Sequence, residues 1–376
     1  MPDFHFSADL LHPQRIAFGA GTLSVIRPWV EERGMKRVLV VTDAFNATRL
    51  DRLGLTGRLT VFGRAKPDPE VPTLNELLGV AEAARPELVI GFGGGSVMDL
   101  AKLAAALAGS GQTLREVVGP DRLAGRRAAL IQLPTTAGTG SEVGTRAFFT
   151  DPATPARLAV RSRHLLADLT VIDPDLTTTL SAALTATTGM TAMAHCTEAL
   201  TNPKSNPVID PHAFEGIHLI GRFLTRAVLD ATDQEARAGL ALAAMYGGFC
   251  LEASDASAVH ALAHPLGARH GIAHGVASAL LFPHILAFNA SASPMRTKQV
   301  LEALGLPASN TPSAVLESSR GFCQGLGLAM HLSRLGVPES ALPAMAAEAH
   351  ASSDGLGNTP RTLSAERILA IYRAAY

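Results

Sequence analysis

The chain has 376 residues, a formal net charge of -1, 47% hydrophobic residues and 17% charged ones. That near-neutral balance supplies no electrostatic footprint for nucleic acid or an anionic membrane, and every apolar run is broken by Gly, Pro or charge before it reaches a membrane-spanning length. The length exceeds one ordinary core and implies two domains.

Taken in order, Met1–Asp9 has no basic segment leading into an apolar one, so no signal peptide is expected and the predicted location is cytoplasmic. Three widely separated cysteines, Cys196, Cys250 and Cys323, lack CxxC spacing and fit a reducing compartment. Short β-branched runs then alternate with helical patterns. Residues 15–18 lead through a Gly-Ala-Gly turn into an amphipathic stretch. Residues 37–42 form a continuous apolar run, read as a strand buried on both faces. Residues 59–62 are a further strand, a helix is predicted over roughly 73–85, and strands over 87–91 and 128–133 flank a helical segment at 97–108. Residues 169–173 are the last convincing strand. Strand–helix alternation of this kind implies a parallel sheet with crossover helices. Beyond about residue 180 the pattern is helical and punctuated by proline. The predicted organisation is an α/β, Rossmann-like dinucleotide-binding domain over 1–180 and an all-α domain over 181–376.

Three stretches carry chemistry. Gly91-Phe-Gly93-Gly94-Gly95-Ser96-Val-Met-Asp99 follows a strand and opens a helix, a turn whose exposed N–H groups suit a pyrophosphate. It is not a G-x-G-x-x-G fingerprint, because Ser96 stands where its last glycine would be. Ser96 and Asp99 also read as a capping box for that helix. Asp43 ends an earlier strand, where a carboxylate would accept hydrogen bonds from a ribose and repel a 2′-phosphate, favouring NAD over NADP; its ordinary role would be a turn or N-cap aspartate. The second stretch, Leu133-Pro-Thr-Thr-Ala-Gly-Thr-Gly-Ser-Glu142, interleaves glycines with hydroxyls as a loop wrapping a polar ligand would. The third is the histidine stretch from His260 to His274. His260 and His264 are one helical turn apart on one face, a spacing that suits a metal or acid/base site, although such pairs are more often packing or surface. Pro265 and Gly267 are expected to break the helix.

The motifs together resemble the iron-containing (group III) alcohol dehydrogenases over essentially the whole length. They run Phe18-Gly-Ala-Gly-Thr-Leu, Gly93-Gly-Gly-Ser-x-x-Asp-x-x-Lys102, Leu133-Pro-Thr-Thr-x-Gly-Thr-Gly-Ser-Glu142, Gly189-Met-x-Ala-x-x-His195-x-x-Glu198, the histidine stretch with Leu281-Phe-Pro-His284, and Asn358-Thr-Pro-Arg361. The resemblance implies a dinucleotide domain, a helical domain and a cleft between them. NAD(P) would lie across Gly93, Gly94, Gly95 and Ser96, with Asp99 in the same motif and Thr135, Thr136, Thr139 and Ser141 lining the remainder. The family's divalent metal is held by one aspartate and three histidines. The histidine positions match His195, His260 and His274, and His264 matches a nearby proton-relay histidine. The aspartate position holds Thr191, which removes a charge and a coordinate bond and disfavours Fe2+ relative to Zn2+.

That departure is shared with maleylacetate reductases, to which Ala-Met-Ala-His-x-x-Glu-Ala-Leu and the preceding Asp-Pro-Asp-Leu-Thr-Thr-Thr-Leu run are also similar. The implied activity is hydride transfer between nicotinamide and a small alcohol, aldehyde or oxo-acid. His195, His260 and His264 are the candidate catalytic groups, acting through a metal or as bare imidazoles. Arg146, Arg161 and Arg163 are candidates to pair a substrate carboxylate. The alternatives are a maleylacetate reductase acting on an unsaturated oxo-dicarboxylic acid and, more remotely, a dehydroquinate synthase-type lyase. A homodimer is the expected assembly.

Overall fold

A computed structural model describes residue 6 and residues 8–57, 59–152, 156–255, 257–351 and 356–376; most of Met1–Asp9, on which the signal-peptide expectation rests, lies outside these. The chain forms two compact units. One comprises Leu11–Thr136 and Gly140–Thr178; the other comprises Thr179–Tyr376 with Ala137–Thr139 and the described residues before Leu11.

The α/β unit is built on a six-stranded sheet. Its strands are β1 (Ile16–Phe18), β2 (Val38–Thr42), β3 (Thr60–Phe62), β4 (Leu88–Gly93), β6 (Ala129–Pro134) and β9 (Leu169–Ile172), with β5 (Gly119–Pro120), β7 (Arg146–Asp151) and β8 (Ala156–Arg161) in a second sheet. The order is β1-β9-β6-β4-β2-β3, and every pairing in this sheet is parallel. All of β2 and β4 is buried, as continuous apolar runs require when helices cover both faces. Helices α1 (Ile26–Glu32), α2 (Val71–Ala84), α3 (Gly95–Leu107) and the short α4 (Leu114–Val117) complete the unit. From β2 the chain moves outward to β3 and then returns to the far side of β2 as β4. The carboxyl ends of β2 and β4 are therefore a topological switch point, where open α/β sheets bind ligands.

The small second sheet, ordered β5-β8-β7, is absent from the sequence reading. Along β7 burial alternates, with Ala147 and Phe149 inside, but Phe148 between them is apolar too and hides the period. Arg146 pairs with Arg161 across the β7–β8 ladder.

The helical unit contains α5 (Ala182–Thr201), α6 (Asp210–Leu229), α7 (Gln234–Ser254), α8 (Ala258–His270), α9 (His274–Asn289), α10 (Pro294–Ala303), α11 (Pro312–Gly325), α12 (Leu342–Ala351) and α13 (Ala365–Ala374). Among the described residues no helix is long and apolar enough to cross a membrane. Ser181 caps α5, its hydroxyl accepting from Leu184 N at 3.2 Å. From Gly189 onward α5 is buried on all sides, its polar Thr191, His195, Thr197, Glu198 and Thr201 included. Close approach to α5 depends on glycine. A Cβ on Gly189 would fall 2.4 Å from Leu224, and one on Gly275 would fall 3.2 Å from Thr187 O and 3.3 Å from Thr191 Oγ1. The start of α9 is thereby held against the turn of α5 that carries Thr191.

The predicted break at Pro265 does not occur. α8 runs through it and ends at His270, with Gly271 in the left-handed region at φ 64°. Proline deletes only the one hydrogen bond that would run back to Ala261 O, and packing of Leu262, Leu266 and Ala263 in the core holds the remainder.

Candidate active site

In the α/β unit the switch point gathers most of the residues expected to bind nucleotide. Gly93 ends β4, and Thr135 N, just beyond β6, donates to Gly93 O at 3.0 Å. Thr136 stands 3.4 Å from where a Cβ of Gly94 would be, and a Cβ on Gly93 would be driven into Val97 at 2.6 Å. These glycines keep open a cradle that side chains would fill. Gly94 is the N-cap of α3, and no side chain caps that helix. Its first N–H groups and the positive end of its dipole are left for an anion, which is what a pyrophosphate needs.

Two of the sequence readings are corrected here. Ser96 and Asp99 do not form a capping box: Ser96 Oγ accepts from Asp68 N at 3.1 Å, and with Gly94 as the N-cap Asp99 lies beyond the N3 position, which is Val97. Nor does Asp99 present a free carboxylate to a ligand. Its oxygens accept from Ser141 Oγ at 2.6 Å and Phe148 N at 3.0 Å. It steadies Ser141, which also accepts from the buried Lys102 Nζ at 2.9 Å; Lys102 donates a second bond to Arg146 O at 2.7 Å. Lys102 and the neighbouring Glu142 carry no role in the sequence reading. Glu142 is buried, and desolvation, countered by its own backbone N–H and by Lys102, lifts its carboxyl to about 7. The signal available for both was their place in dense motifs.

Asp43 lies at the carboxyl end of β2 beside the glycine loop. Its oxygens accept from Asn46 N at 2.9 Å and Asn46 Nδ2 at 2.7 Å, so its turn role is real, and each oxygen keeps a lone pair for a further donor. Thr139 belongs to the compact body of the helical unit together with Ala137 and Gly138.

The helical unit assembles the histidines. His195 of α5 and His260 of α8 stack with ring centroids 4.7 Å apart and 13° between planes. His274, the first residue of α9, lies 5.2 Å from His260. Imidazoles bound to one ion through bonds of about 2.0–2.1 Å at tetrahedral angles would have centroids about 5 Å apart, so the spacing fits. His260 Nδ1 is hydrogen-bonded to Glu198 at 2.8 Å, while its Nε2 is buried and has no hydrogen-bond partner, an unmet need in a native interior. With the rings as they stand, no three histidine, cysteine or carboxylate groups among the described residues converge as an ion's ligands; turning the parallel His195 and His260 rings toward one point would be required. Thr191 occupies the turn before His195, but its hydroxyl donates to Thr187 O at 3.1 Å and brings no charge. Position 191 thus adds no charged donor to the three imidazoles. His264 lies one turn beyond His260 on the same face, its Nδ1 4.0 Å from Glu348.

His284 does not join this group. Ten residues along α9, it is about 15 Å from His274, and burial, then Arg320 and His331, push its imidazole down to about 4. Arg161 and Arg163 are exposed in the α/β unit.

Comparison with known proteins gives the family. A family model described as iron-containing alcohol dehydrogenase matches residues 13–174, and one for the C-terminal part of the Fe-containing alcohol dehydrogenase family matches 185–376. Long-chain-alcohol dehydrogenase 1 of Geobacillus thermodenitrificans (strain NG80-2) is 32% identical, covering 98% of this chain and 97% of its own. The 1,3-propanediol dehydrogenase of Klebsiella pneumoniae is 30% identical over 98% of both. A crystal structure of 1,3-propanediol oxidoreductase superposes with a TM-score of 0.92 at 30% identity, over 98% of this chain and 100% of that one. With a glycine cradle at the switch point of one unit and clustered imidazoles in the other, the chain belongs to the iron-containing alcohol dehydrogenase family and is an oxidoreductase of the alcohol dehydrogenase type.

Proposed function

We propose that this enzyme interconverts a small alcohol and its aldehyde or ketone by hydride exchange with NAD(H). The observation that carries the reading is the imidazole cluster on three different helices, with His260 Nε2 buried and unpartnered. Nucleotide binding is assigned to the α3 N-terminus with Gly93, Gly94, Gly95 and Ser96, to Thr135, Thr136 and Thr139, and to Ser141 as held by Asp99 and Lys102. Asp43 would take the ribose hydroxyls and so select NAD over NADP. The relatives whose names mention long-chain alcohols and 1,3-propanediol point to an unbranched primary alcohol.

His195, His260 and His274 would hold a divalent ion through neutral nitrogens, zinc in preference to iron because Thr191 replaces a carboxylate. Such an ion supplies Lewis-acid polarisation of the substrate oxygen. The chain's own residues do the rest. His260 would offer its buried Nε2 to that ion, and His264, one turn away and near Glu348, would pass the hydroxyl proton outward. Three buried, unpaired cysteines suit work in a reducing cytoplasm.

The test pairs metal analysis of protein purified without chelator with NAD reduction on straight-chain alcohols and propane-1,3-diol, before and after chelation. We expect activity that chelation removes and Zn2+ restores. Full activity in metal-free protein would eliminate the three-histidine metal role; no NAD reduction with any alcohol and no NADH oxidation with the matching aldehydes would overturn the function itself.

A further inference from the structure

Glu198 is the one carboxylate in the α5–α8 contact whose hydrogen bonds join helix anchoring to the imidazole cluster. It is 4% exposed. Oε1 accepts from Val259 N at 2.6 Å, and Oε2 accepts from Ser257 N at 3.2 Å and faces His260 Nδ1 at 2.8 Å. Val259 N and Ser257 N belong to the start of α8, where orphan donors need a cap. Ser257 stands at the N-cap but does not cap with its own side chain; its hydroxyl donates to Asn358 O at 3.4 Å. A side chain three residues beyond His195 on α5 therefore caps another helix, and its charge favours the positive end of the α8 dipole.

We propose that Glu198 is a positioning residue that fixes His260 as the Nδ1–H tautomer and thereby presents Nε2 as a lone-pair donor. Two backbone N–H groups already point at the carboxylate, so it acts there as an acceptor and the proton of the Glu198–His260 bond resides on Nδ1. A neutral imidazole carries one N–H, so Nε2, the buried nitrogen without a partner, is left as ligand or acceptor. An outer carboxylate of this kind fixes the orientation of the ring and which nitrogen faces the site. In this chain that effect has added weight, because the neutral Thr191 brings no charge to the cluster. One residue thus couples the registration of α8 against α5 to the chemistry of the site. The inference rests on the histidine cluster assigned above, but the tautomer it names exists whether or not an ion binds.

The test uses full-length protein with 15N-labelled histidine, His260 being assigned by loss of its signals in His260→Ala. In metal-free wild type, Nδ1 should show the protonated shift and Nε2 the unprotonated one; in Glu198→Gln the two tautomers should mix. Titration with Co2+, followed by its visible absorption, should show affinity falling about 10–100-fold in Glu198→Gln. The same substitution placed on His260→Ala should cause no further loss of affinity, although it should still lower the melting temperature by freeing the α8 donors. A wild-type proton on Nε2 would overturn the proposal. So would an equal loss of Co2+ affinity with and without His260, which would reduce Glu198 to a helix cap. Should wild type bind no Co2+, the metal part of the proposed function fails, and the tautomer measurement alone decides the role of Glu198.

Discussion

Restoring a carboxylate at position 191 probes the logic of the site from the opposite direction. Thr191 is 5% exposed, its hydroxyl donates to Thr187 O at 3.1 Å, and it lies against Gly275 next to His274. In Thr191→Asp the donor is lost and a buried charge meets a carbonyl oxygen. Leaving buried polar groups unsatisfied costs about 1–3 kcal/mol, with charged groups toward the upper end. For a unit the size of Thr179–Tyr376 each kcal/mol moves the melting temperature about 2–4 °C, so metal-free protein should melt about 2–12 °C lower. A divalent ion should reverse this, because the carboxylate becomes a fourth, charged ligand. Even an outer partner of a ligand is worth about 10–100-fold in affinity, so Co2+ should bind at least about tenfold tighter than to wild type. At a free concentration near 100 times Kd the ion adds about 2.7 kcal/mol, enough to recover most of the lost stability. Differential scanning fluorimetry with and without Co2+, alongside absorption titration, reads both effects. If Thr191→Asp melts like wild type without metal and gains no affinity with it, position 191 does not face the imidazoles and the reading of the cluster is wrong.

Other residues give independent checks. Glu142 is raised to about 7 by burial, above its unfolded value of about 4.5. The stability associated with its protonated form is thus complete below about pH 4.5 and lost as pH rises to about 7. Glu142→Gln removes that loss, so its advantage over wild type in urea unfolding should grow across this window by about 3 kcal/mol and then level off; a constant difference would contradict a buried, proton-binding carboxyl. Asp43→Gly should lower the NADH/NADPH ratio of kcat/KM on the order of tenfold, about 1.4 kcal/mol, and an unchanged ratio would refute the ribose role. His264→Ala should reduce kcat about 10²-fold with little change in KM for NAD, as loss of a proton-transfer group does; wild-type kcat would remove it from the proton path.

Much of the architecture could be read in the linear chain because it depends on neighbours in sequence. The apolar run of β2, the glycines between β4 and α3, and the one-turn spacing of His260 and His264 are local patterns with local causes. The substitution at Thr191 was legible too, since its distance from His195 is one helical turn. Residues far apart were another matter. The chain order did not indicate that Asp99 would hold Ser141, because Ser96-x-x-Asp99 has the spacing of a capping box; α3 instead starts at Gly95, and Asp99 meets Ser141 and Phe148, more than forty residues away. Pro265 carries a strong local signal for a break, overridden by the core contacts of Leu262 and Leu266. The role of Glu198 was hidden in the same way: its partners Ser257, Val259 and His260 lie about sixty residues further along. Periodicity specifies which face of α5, α8 or α9 is apolar, but the rotation and depth at which these helices meet are set by close packing and by glycines at the contacts. Only that packing brings His195, His260 and His274 together and turns Glu198 toward His260.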